Sequence, residues 1–302
     1  MPLGHAFRMV RGSSIEDCHL LADRWDGKGW VEDHAESWVV QVSAGRMFAL
    51  KSQVGWLTGL WCSPTGRVYV SQGSGSLGGG IHVSPGDDLS APQWEFHELP
   101  LLAVGVWGLD DRFVLTWGPR VDKQEDGMFR WDGRAWHPIP CPGRVISVHG
   151  LAPDLVYAVG RKGLIARWDG SRWHQVPSYT QASLTGIHVA GQDEMYACGG
   201  NGVMEGSIYG WSEVVESPGQ VLEVTKYKGD TLVAGANSGL LRLKGNRLEP
   251  MEPSLPVTSM DSRDRFVVAT PEVLADSLDG KTFRRKPLSE FVDLTRDIPT
   301  MW

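Results

Sequence analysis

The stretch SVHGLAPDLVYAVGRKGLIARWDGSRWHQVP, residues 147–177, decides the fold of this chain. It holds four short runs rich in β-branched and aromatic residues, separated by turn residues such as Pro153-Asp154 and Asp169-Gly170. Runs of this kind between turns predict strands, and Pro177 ends the last one, as proline does at a sheet edge. The stretch therefore predicts a four-stranded antiparallel sheet, with strands near residues 147–149, 156–159, 164–167 and 172–176.

The hairpin inside this stretch is repeated elsewhere in the chain. The pattern Arg-Trp-Asp-Gly-x-x-Trp occurs three times, at residues 24–30, 130–136 and 167–173. An Asp-Gly pair between strand-like flanks indicates a tight turn, because glycine adopts the positive φ that such turns require. We expect each copy to form one antiparallel hairpin.

A further strand recurs with a longer period. Six similar runs begin at residues 67, 112, 155, 194, 231 and 265, which are 34 to 45 residues apart. This spacing is close to the length of one blade of a β-propeller, and a lone four-stranded sheet must stack on neighbours to bury both faces. The 14 tryptophans supply large side chains to fill the wedges between such blades.

These periods predict an all-β fold, a β-propeller of seven four-stranded blades, with six or eight blades as alternatives. We expect residues 1–302 to form a single domain. Six blades fall near residues 58–100, 101–143, 144–182, 183–219, 220–254 and 255–289. Residues 1–57 hold one further blade's worth of strands, and residues 290–302 form or close that terminal blade. In particular, residues 291–294 are predicted to supply a strand to the blade that contains Trp25.

The composition argues against several partners and compartments. The net charge is −7 and no block of Lys or Arg occurs, so neither nucleic acid nor an anionic membrane is expected as the main partner. No basic end followed by an apolar run marks a secretion signal, which predicts a cytoplasmic protein, and the lack of eukaryotic targeting elements favours a bacterial source. The four cysteines lack metal-ligand spacing, so we expect reduced thiols, no metal and no cofactor.

Residues 147–177, with their Pro-Asp turn, the strand VYAVG and the hairpin RWDGSRW, resemble a group of bacterial β-propeller repeats. That group includes WD-repeat, sialidase-like Asp-box and photosystem II assembly-factor-like proteins. The segment SLDGKTF, residues 277–283, is similar to an Asp box but is one residue short of the usual spacing. The resemblance covers roughly residues 58–289 and implies the propeller fold. It implies no particular function, because members of these families differ in activity.

One position on the first strand of successive blades carries mostly aromatic or imidazole side chains. We align at this position Trp61, Trp107, His149, His188, Tyr227 and Asp261. Near a central channel these groups would stack on a sugar, grip a peptide or, for the two histidines, hold a metal. The alternative is that the pleat turns them into the wedge between blades, where they fill volume. Two histidines alone make a poor zinc site, because catalytic zinc takes three protein ligands.

Two irregular segments are candidates for contact with a partner. Residues 73–78, GSGSLG, match the dinucleotide pattern G-x-G-x-x-G, but strand and turn residues follow instead of a helix, so no pyrophosphate site is expected. We predict a long flexible hairpin loop there, extended by Asp87-Asp88 and Pro92. The second segment, residues 117–127, is charged and contains Arg120; it is either a solvated loop or a specificity loop. Both follow a second strand, so they should lie side by side on one face.

No set of residues forms a recognisable catalytic pattern. A sialidase needs several arginines around a carboxylate, and the spacing of Arg120, Arg144 and Arg161 does not show that they converge. The sequence therefore predicts a non-catalytic scaffold that presents loops to a protein partner in a bacterial secretion, toxin-neutralising or regulatory complex. The alternative is a carbohydrate-binding or carbohydrate-active propeller, a lectin, glycosidase or lyase, that uses the central Trp/His cluster. A lyase with histidine-bound metal is a third interpretation.

Overall fold

The computed structural model describes residues 4–25, 35–74, 78–86, 93–200, 202–212 and 214–290. Within them, seven antiparallel sheets follow one another along the chain, and the strands of each sheet pair in sequence order. We number these sheets blades 1 to 7. Helix in the described residues is limited to two short 3-10 turns, Arg161–Gly163 and Leu288–Glu290, and none is long and apolar enough to cross a membrane.

The strand bounds, blade by blade, are as follows. Blade 1 has Gly4–Ser14, Asp17–Trp25, Ala35–Ser43 and Arg46–Val54. Blade 2 has Leu57–Cys62, Val68–Ser74, Gly78–Val83 and Glu95–Leu99. Blade 3 has Gly105–Asp110, Phe113–Pro119, Asp126–Trp131 and Trp136–Ile139. Blade 4 has Val145–Ala152, Leu155–Gly160, Ile165–Trp168 and Trp173–Gln175. Blade 5 has Leu184–Gly191, Glu194–Gly199, Gly202–Ser207 and Gly210–Trp211, with Val215–Glu216 as an extra short strand. Blade 6 has Val221–Tyr227, Asp230–Gly235, Gly239–Leu243 and Leu248–Glu252. Blade 7 has Ser259–Ser262, Phe266–Ala269, Val273–Ser277 and Phe283–Pro287.

The seven blades form a closed ring. The first strand of each blade contacts the first strand of the next, and the first strand of blade 1 contacts the first strand of blade 7. The first strands therefore surround a common axis, as in a β-propeller. The predicted all-β fold and the count of seven blades are confirmed.

The seam between blades 1 and 7 is held by hydrogen bonds. The Phe7 N–H donates to the Pro271 carbonyl at 3.2 Å, and the Gly12 and Ile15 N–H groups donate to the carboxylates of Asp261 and Asp276 at 2.8 and 3.1 Å. The four strands of blade 1 come from residues 4–54. The strand predicted at residues 291–294 lies outside the described residues and stays a prediction.

The meander gives the ring two distinct faces. We call the face at which the first strands begin the upper face. It carries the connections between blades and those between second and third strands, because successive antiparallel strands alternate in direction. The opposite, lower face carries the other two hairpins of each blade. In blade 2 the second strand ends at Ser74 and the third begins at Gly78 on the upper face, where the loop of residues 120–125 of blade 3 also lies. Residues 75–77 lie outside the described residues, so their place beside that loop stays a prediction.

The core consists of side chains packed between neighbouring blades. At the boundary of blades 3 and 4, Phe113, Leu115 and Trp117 form one buried cluster with Val156 and Trp168. Each such side chain stabilises the fold by about 1.5–3 kcal/mol when fully buried. The tryptophans therefore do fill wedges between blades, and a blade removed from the ring would expose both of its faces.

Two copies of the Arg-Trp-Asp-Gly pattern form the predicted hairpins. Trp131 lies directly opposite Trp136, and Trp168 directly opposite Trp173, with ring centroids 5.6 and 5.4 Å apart. In the second hairpin the Asp169 carboxylate accepts two backbone N–H groups of the turn. Both copies join a third strand to a fourth on the lower face.

The first copy of the pattern behaves differently. Trp25 ends the second strand of blade 1 and pairs with Ala35, so residues 26–34 separate the two strands. This copy therefore lacks the Trp–Trp pairing of the other two, and no described residue tests its predicted Asp-Gly turn. The remainder of the pattern, including Trp30, lies outside the described residues.

Gly73, Ser74 and Gly78 of the glycine-rich segment belong to strands, and residues 75–77 lie outside the described residues. Ser74 pairs with Gly78 and Gly73 with Gly79, so the long hairpin loop predicted for residues 73–78 is wrong. A Cβ on Gly79 would lie 1.7 Å from the Leu101 carbonyl oxygen. The backbone near Leu101 therefore comes so close that only glycine fits at this position. A strand follows and no helix, as expected. Residues 87–92 lie outside the described residues, and the strands that flank them, Gly78–Val83 and Glu95–Leu99, end and begin at the lower face.

Candidate functional site

One register position recurs on the first strand of every blade. In blade 4 it is the position of His149, which lies opposite Tyr157 on the second strand. The matching residues, in blade order, are Arg11, Trp61, Trp107, His149, His188, Thr225 and Asp261. We call these seven residues the channel tier. The comparison of repeats within the sequence assigns five of these seven residues to this position.

Tyr227 is not a member of the channel tier, which corrects the sequence alignment. It lies two residues beyond Thr225 and pairs with Asp230 at the end of its strand. Its hydroxyl donates to the Leu278 carbonyl at 2.8 Å, so it joins blade 6 to blade 7. The sequence analysis missed Arg11, because blade 1 lacks the recurring second-strand pattern by which the other blades were aligned.

The aromatic members of the tier form a chain of contacts between blades. The rings of Trp107 and His149 are 5.9 Å apart between centroids, and those of His149 and His188 are 4.9 Å apart. The His149 Nδ1 accepts the Val189 N–H at 3.1 Å, and the His188 Nδ1 lies 3.5 Å from the Thr225 hydroxyl. Each of these side chains thus contacts the following blade. The geometry favours the wedge interpretation over a set of free binding groups.

Burial keeps the two imidazoles neutral. It lowers the pKa of His149 to about 3, with the neighbouring His188 and Arg11 acting in the same direction. Burial and the Lys226 charge lower the pKa of His188 to about 4. Neutral imidazole is the form that binds metals. However, no group of three His, Cys, Asp or Glu side chains in the described part of the chain is placed to hold a metal ion.

The charged members of the tier serve the seam between blades. The Arg11 guanidinium donates to the Ser259 hydroxyl and the Met260 carbonyl at 3.1 and 3.2 Å, and lies 3.7 Å from the Glu223 carboxylate. Asp261 accepts the Gly12 N–H. Burial raises the pKa of Glu223, and the Arg11 charge opposes this shift. These charges therefore act mainly on neighbouring blades.

A different arrangement occurs on the upper face at the boundary of blades 3 and 4. Two adjoining clefts, of about 220 and 500 Å³, share Gly143, Arg144 and Arg161. The smaller one, which we call the apolar cleft, is also lined by Val104, Trp117, Gly118, Pro119, Asp126, Cys141, Val145 and Ile146. The larger one, which we call the cationic cleft, is also lined by Pro142, Lys162, Leu164 and Gln175.

The three cations of the cationic cleft have no charged partner. Arg144, Arg161 and Lys162 are exposed, and no side chain of the described residues forms an ion pair or hydrogen bond with them. By contrast, Arg242, on an outer part of blade 6, lies near two carboxylates. No acidic residue lines the cationic cleft. In a chain of net charge −7, this is a local concentration of positive charge.

Hydrogen bonds hold the backbone that carries these cations. The Arg161 N–H donates to the Arg144 carbonyl at 3.0 Å, which ties two loops together. Lys162 has φ 57°, a left-handed conformation that non-glycine residues seldom adopt. The bond from the Gly163 N–H to the Ala182 carbonyl, at 2.8 Å, holds this turn. Strain of this kind tends to occur at functional sites.

Arg120 lies on the upper face but not in the channel tier. Its Nε and Nη2 atoms donate to the two carboxylate oxygens of Asp122 at 2.8 and 2.5 Å, a bidentate pair within one loop. The hydrogen bonds that Arg120 donates to the Asp122 carboxylate raise the pKa of Arg120. The structure therefore does not bring Arg120 together with the other predicted site residues.

Comparison with known proteins supports the fold and leaves the function open. No family model matches the sequence, and no curated protein sequence matches it. The chain is similar in structure to the WD40 β-propeller domain of Doa1, at 11% identity over 94% of each chain and TM-score 0.63. It is also similar to YCF48 bound to D1 peptide, at 12% identity over 90% of each chain and TM-score 0.61, and to BBS1N in complex with ARL6DN, at 13% identity over 88% of each chain and TM-score 0.61. At these identities the likeness shows the propeller fold alone.

Proposed function

We propose that this chain is a non-catalytic scaffold that binds a protein partner through its upper face. The observation that carries the proposal is a set of three cations at the boundary of blades 3 and 4 that have no ion-pair partner among the described residues. They share the upper face with exposed apolar side chains. Val121 and Tyr179 are 58% and 64% exposed there. Charged groups that surround exposed apolar area are typical of protein interfaces.

Similar propellers support this assignment. YCF48 is described as bound to D1 peptide, and BBS1N as in complex with ARL6DN. Loops on a rigid scaffold commonly carry binding residues, because the framework fixes their positions at little entropic cost. In this proposal the complex is bacterial and cytoplasmic, with a role in secretion, toxin neutralisation or regulation.

Site-specific crosslinking tests this proposal. A photoreactive phenylalanine at Val121 or Tyr179 should crosslink to one and the same protein in cells, and that purified protein should form a complex of defined stoichiometry with the chain. The matched control is the same probe at Phe48, which is also exposed but lies on the outer strand of blade 1. Equal crosslinking from the control, or no stoichiometric partner, would contradict the proposal.

A carbohydrate ligand in the channel is the second candidate. It is favoured by the half-buried rings of Trp107, His149 and His188 beside the axis. It is disfavoured by the contacts that those rings make with each other and with the next blade, because a stacked sugar needs a free ring face. Binding on a glycan array that is lost in Trp107→Ala and His149→Ala would favour it over the scaffold.

A further inference from the structure

We propose that the cationic cleft and the adjoining apolar cleft together bind an extended acidic segment of the partner protein. The inference rests on the proposed function and names the chemistry that the upper face recognises. Three neighbouring cations without acidic partners among the described residues attract carboxylates, and the guanidinium groups of Arg144 and Arg161 are suited to bidentate pairing with them. The cleft volume of about 500 Å³ is large enough for several side chains.

The surroundings of the cleft limit the length of the acidic segment. On the blade 3 side, Asp126 lines the apolar cleft. On the other side, Glu216 lines a cleft formed by blade 5 and the connection that precedes it. These carboxylates repel a long polyanion such as nucleic acid. The pattern fits a short acidic run in a peptide.

The apolar cleft indicates a second feature of the segment. Val104, Ile146 and Trp117 line it, and it meets the cationic cleft at Arg144 and Arg161. A strand-like peptide that lies across both clefts would place an apolar side chain in one and its acidic residues in the other. We therefore expect an apolar residue close in sequence to two or more Asp or Glu residues.

Lys162 offers a way to separate binding from folding. Its left-handed backbone is strained with a lysine side chain and relaxed with glycine. Lys162→Gly should therefore leave the melting temperature unchanged or raise it, while removing one of the three cations. A residue with a purely structural role would not show weaker peptide binding together with unimpaired stability.

The test is selection from a random dodecapeptide library on the immobilised protein. Peptides enriched on the natural chain should carry at least two acidic residues beside an apolar one. One such peptide is then measured by calorimetry with the double variant Arg144→Glu/Arg161→Glu, which should weaken binding about tenfold or more. Binding should also weaken with added salt, because exposed charges are screened.

The matched control is Arg134→Glu/Lys281→Glu, which makes the same charge change on exposed lower-face residues and should alter binding less than about twofold. Enriched peptides without acidic residues, or equal binding by the Arg144→Glu/Arg161→Glu variant, would overturn the proposal. Full displacement of the peptide by millimolar phosphate would indicate a simple anion site instead. If crosslinks from Val121 and Tyr179 persist in that variant, the scaffold function stands and only the cleft assignment fails.

Discussion

Replacement of Asp276 by asparagine tests how the propeller ring is held closed. The Asp276 side chain is fully buried on the third strand of blade 7. One carboxylate oxygen accepts the Ile15 N–H of blade 1 at 3.1 Å and an Arg284 N–H at 2.7 Å, and the other accepts the Arg284 Nε–H at 2.8 Å. Asparagine keeps the shape of the side chain but turns an N–H₂ group toward one of these donors.

The expected loss follows from the burial of the two partners. Breaking a buried ion pair from one side costs about 3–5 kcal/mol. The Arg284 side chain is 44% exposed and regains water when its partner is lost, so we expect about 2–3 kcal/mol. For a domain of 302 residues, whose unfolding entropy is about 0.6 kcal/mol/K, that loss lowers the melting temperature by about 3–5 °C.

The loss should depend on pH in a definite direction. Burial raises the pKa of Asp276, and the hydrogen bonds from Arg284 and Ile15 outweigh it, so the net pKa lies below its ordinary value. A carboxyl with a lowered folded-state pKa stabilises the fold above its unfolded-state pKa, and this contribution is lost as the pH falls through the folded-state pKa. The difference between natural chain and variant should therefore be full at neutral pH and shrink in acid.

Urea unfolding followed by tryptophan fluorescence measures both effects. The control Glu272→Gln alters an exposed carboxylate on the same blade and should change the free energy of unfolding by less than about 0.5 kcal/mol. A loss below about 1 kcal/mol at neutral pH for Asp276→Asn, or a loss independent of pH, would refute this account of the seam.

Three further changes test other parts of the structure. Gly160→Ala places a Cβ 2.1 Å from the Arg144 carbonyl oxygen and should cost about 1–3 kcal/mol by urea unfolding, whereas Gly191→Ala, with open space around it, should be nearly neutral. The imidazoles of His149 and His188 should show no NMR titration between pH 5.5 and 8, because their pKa values are lowered to about 3 and about 4; a midpoint near pH 6.5 would contradict their burial. Asp169→Asn should slightly lower the melting temperature at neutral pH but not in strong acid. The reason is that hydrogen bonds from His174 and from the backbone N–H groups of the turn hold the pKa of Asp169 below its ordinary value. Equal melting temperatures at neutral pH would contradict this account.

The sequence predicted the blades well because their signals are local. Turn pairs such as Asp169-Gly170 and the recurring second strand mark each sheet without reference to the rest of the chain. The same local signal did not predict the register of the first copy, in which Trp25 pairs with Ala35 and not with Trp30. There the register of Trp25 with Ala35 is set by the other strands of blade 1.

The candidate site was harder to predict because it depends on contacts between distant parts of the chain. The tier position of Arg11 follows from its pairing with His19, and no repeat in the sequence revealed it. The absence of ion pairs at Arg144 and Arg161 is equally invisible in the sequence, since it requires knowledge of every neighbouring side chain. The sequence analysis considered Arg144 and Arg161 only as possible carboxylate-binding arginines of a sialidase. It did not predict that they line one cleft.

The distribution of charge separates stability from binding in this propeller. At the seam and in the channel tier, arginines such as Arg11 and Arg284 are paired with groups on neighbouring blades, so changing them should lower the free energy of unfolding. The exposed arginines of the cationic cleft, Arg144 and Arg161, form no such pairs, so Arg144→Glu/Arg161→Glu should leave the free energy of unfolding within about 0.5 kcal/mol. A variant that loses peptide binding with intact stability would then report on recognition alone, which no substitution in the channel tier could do.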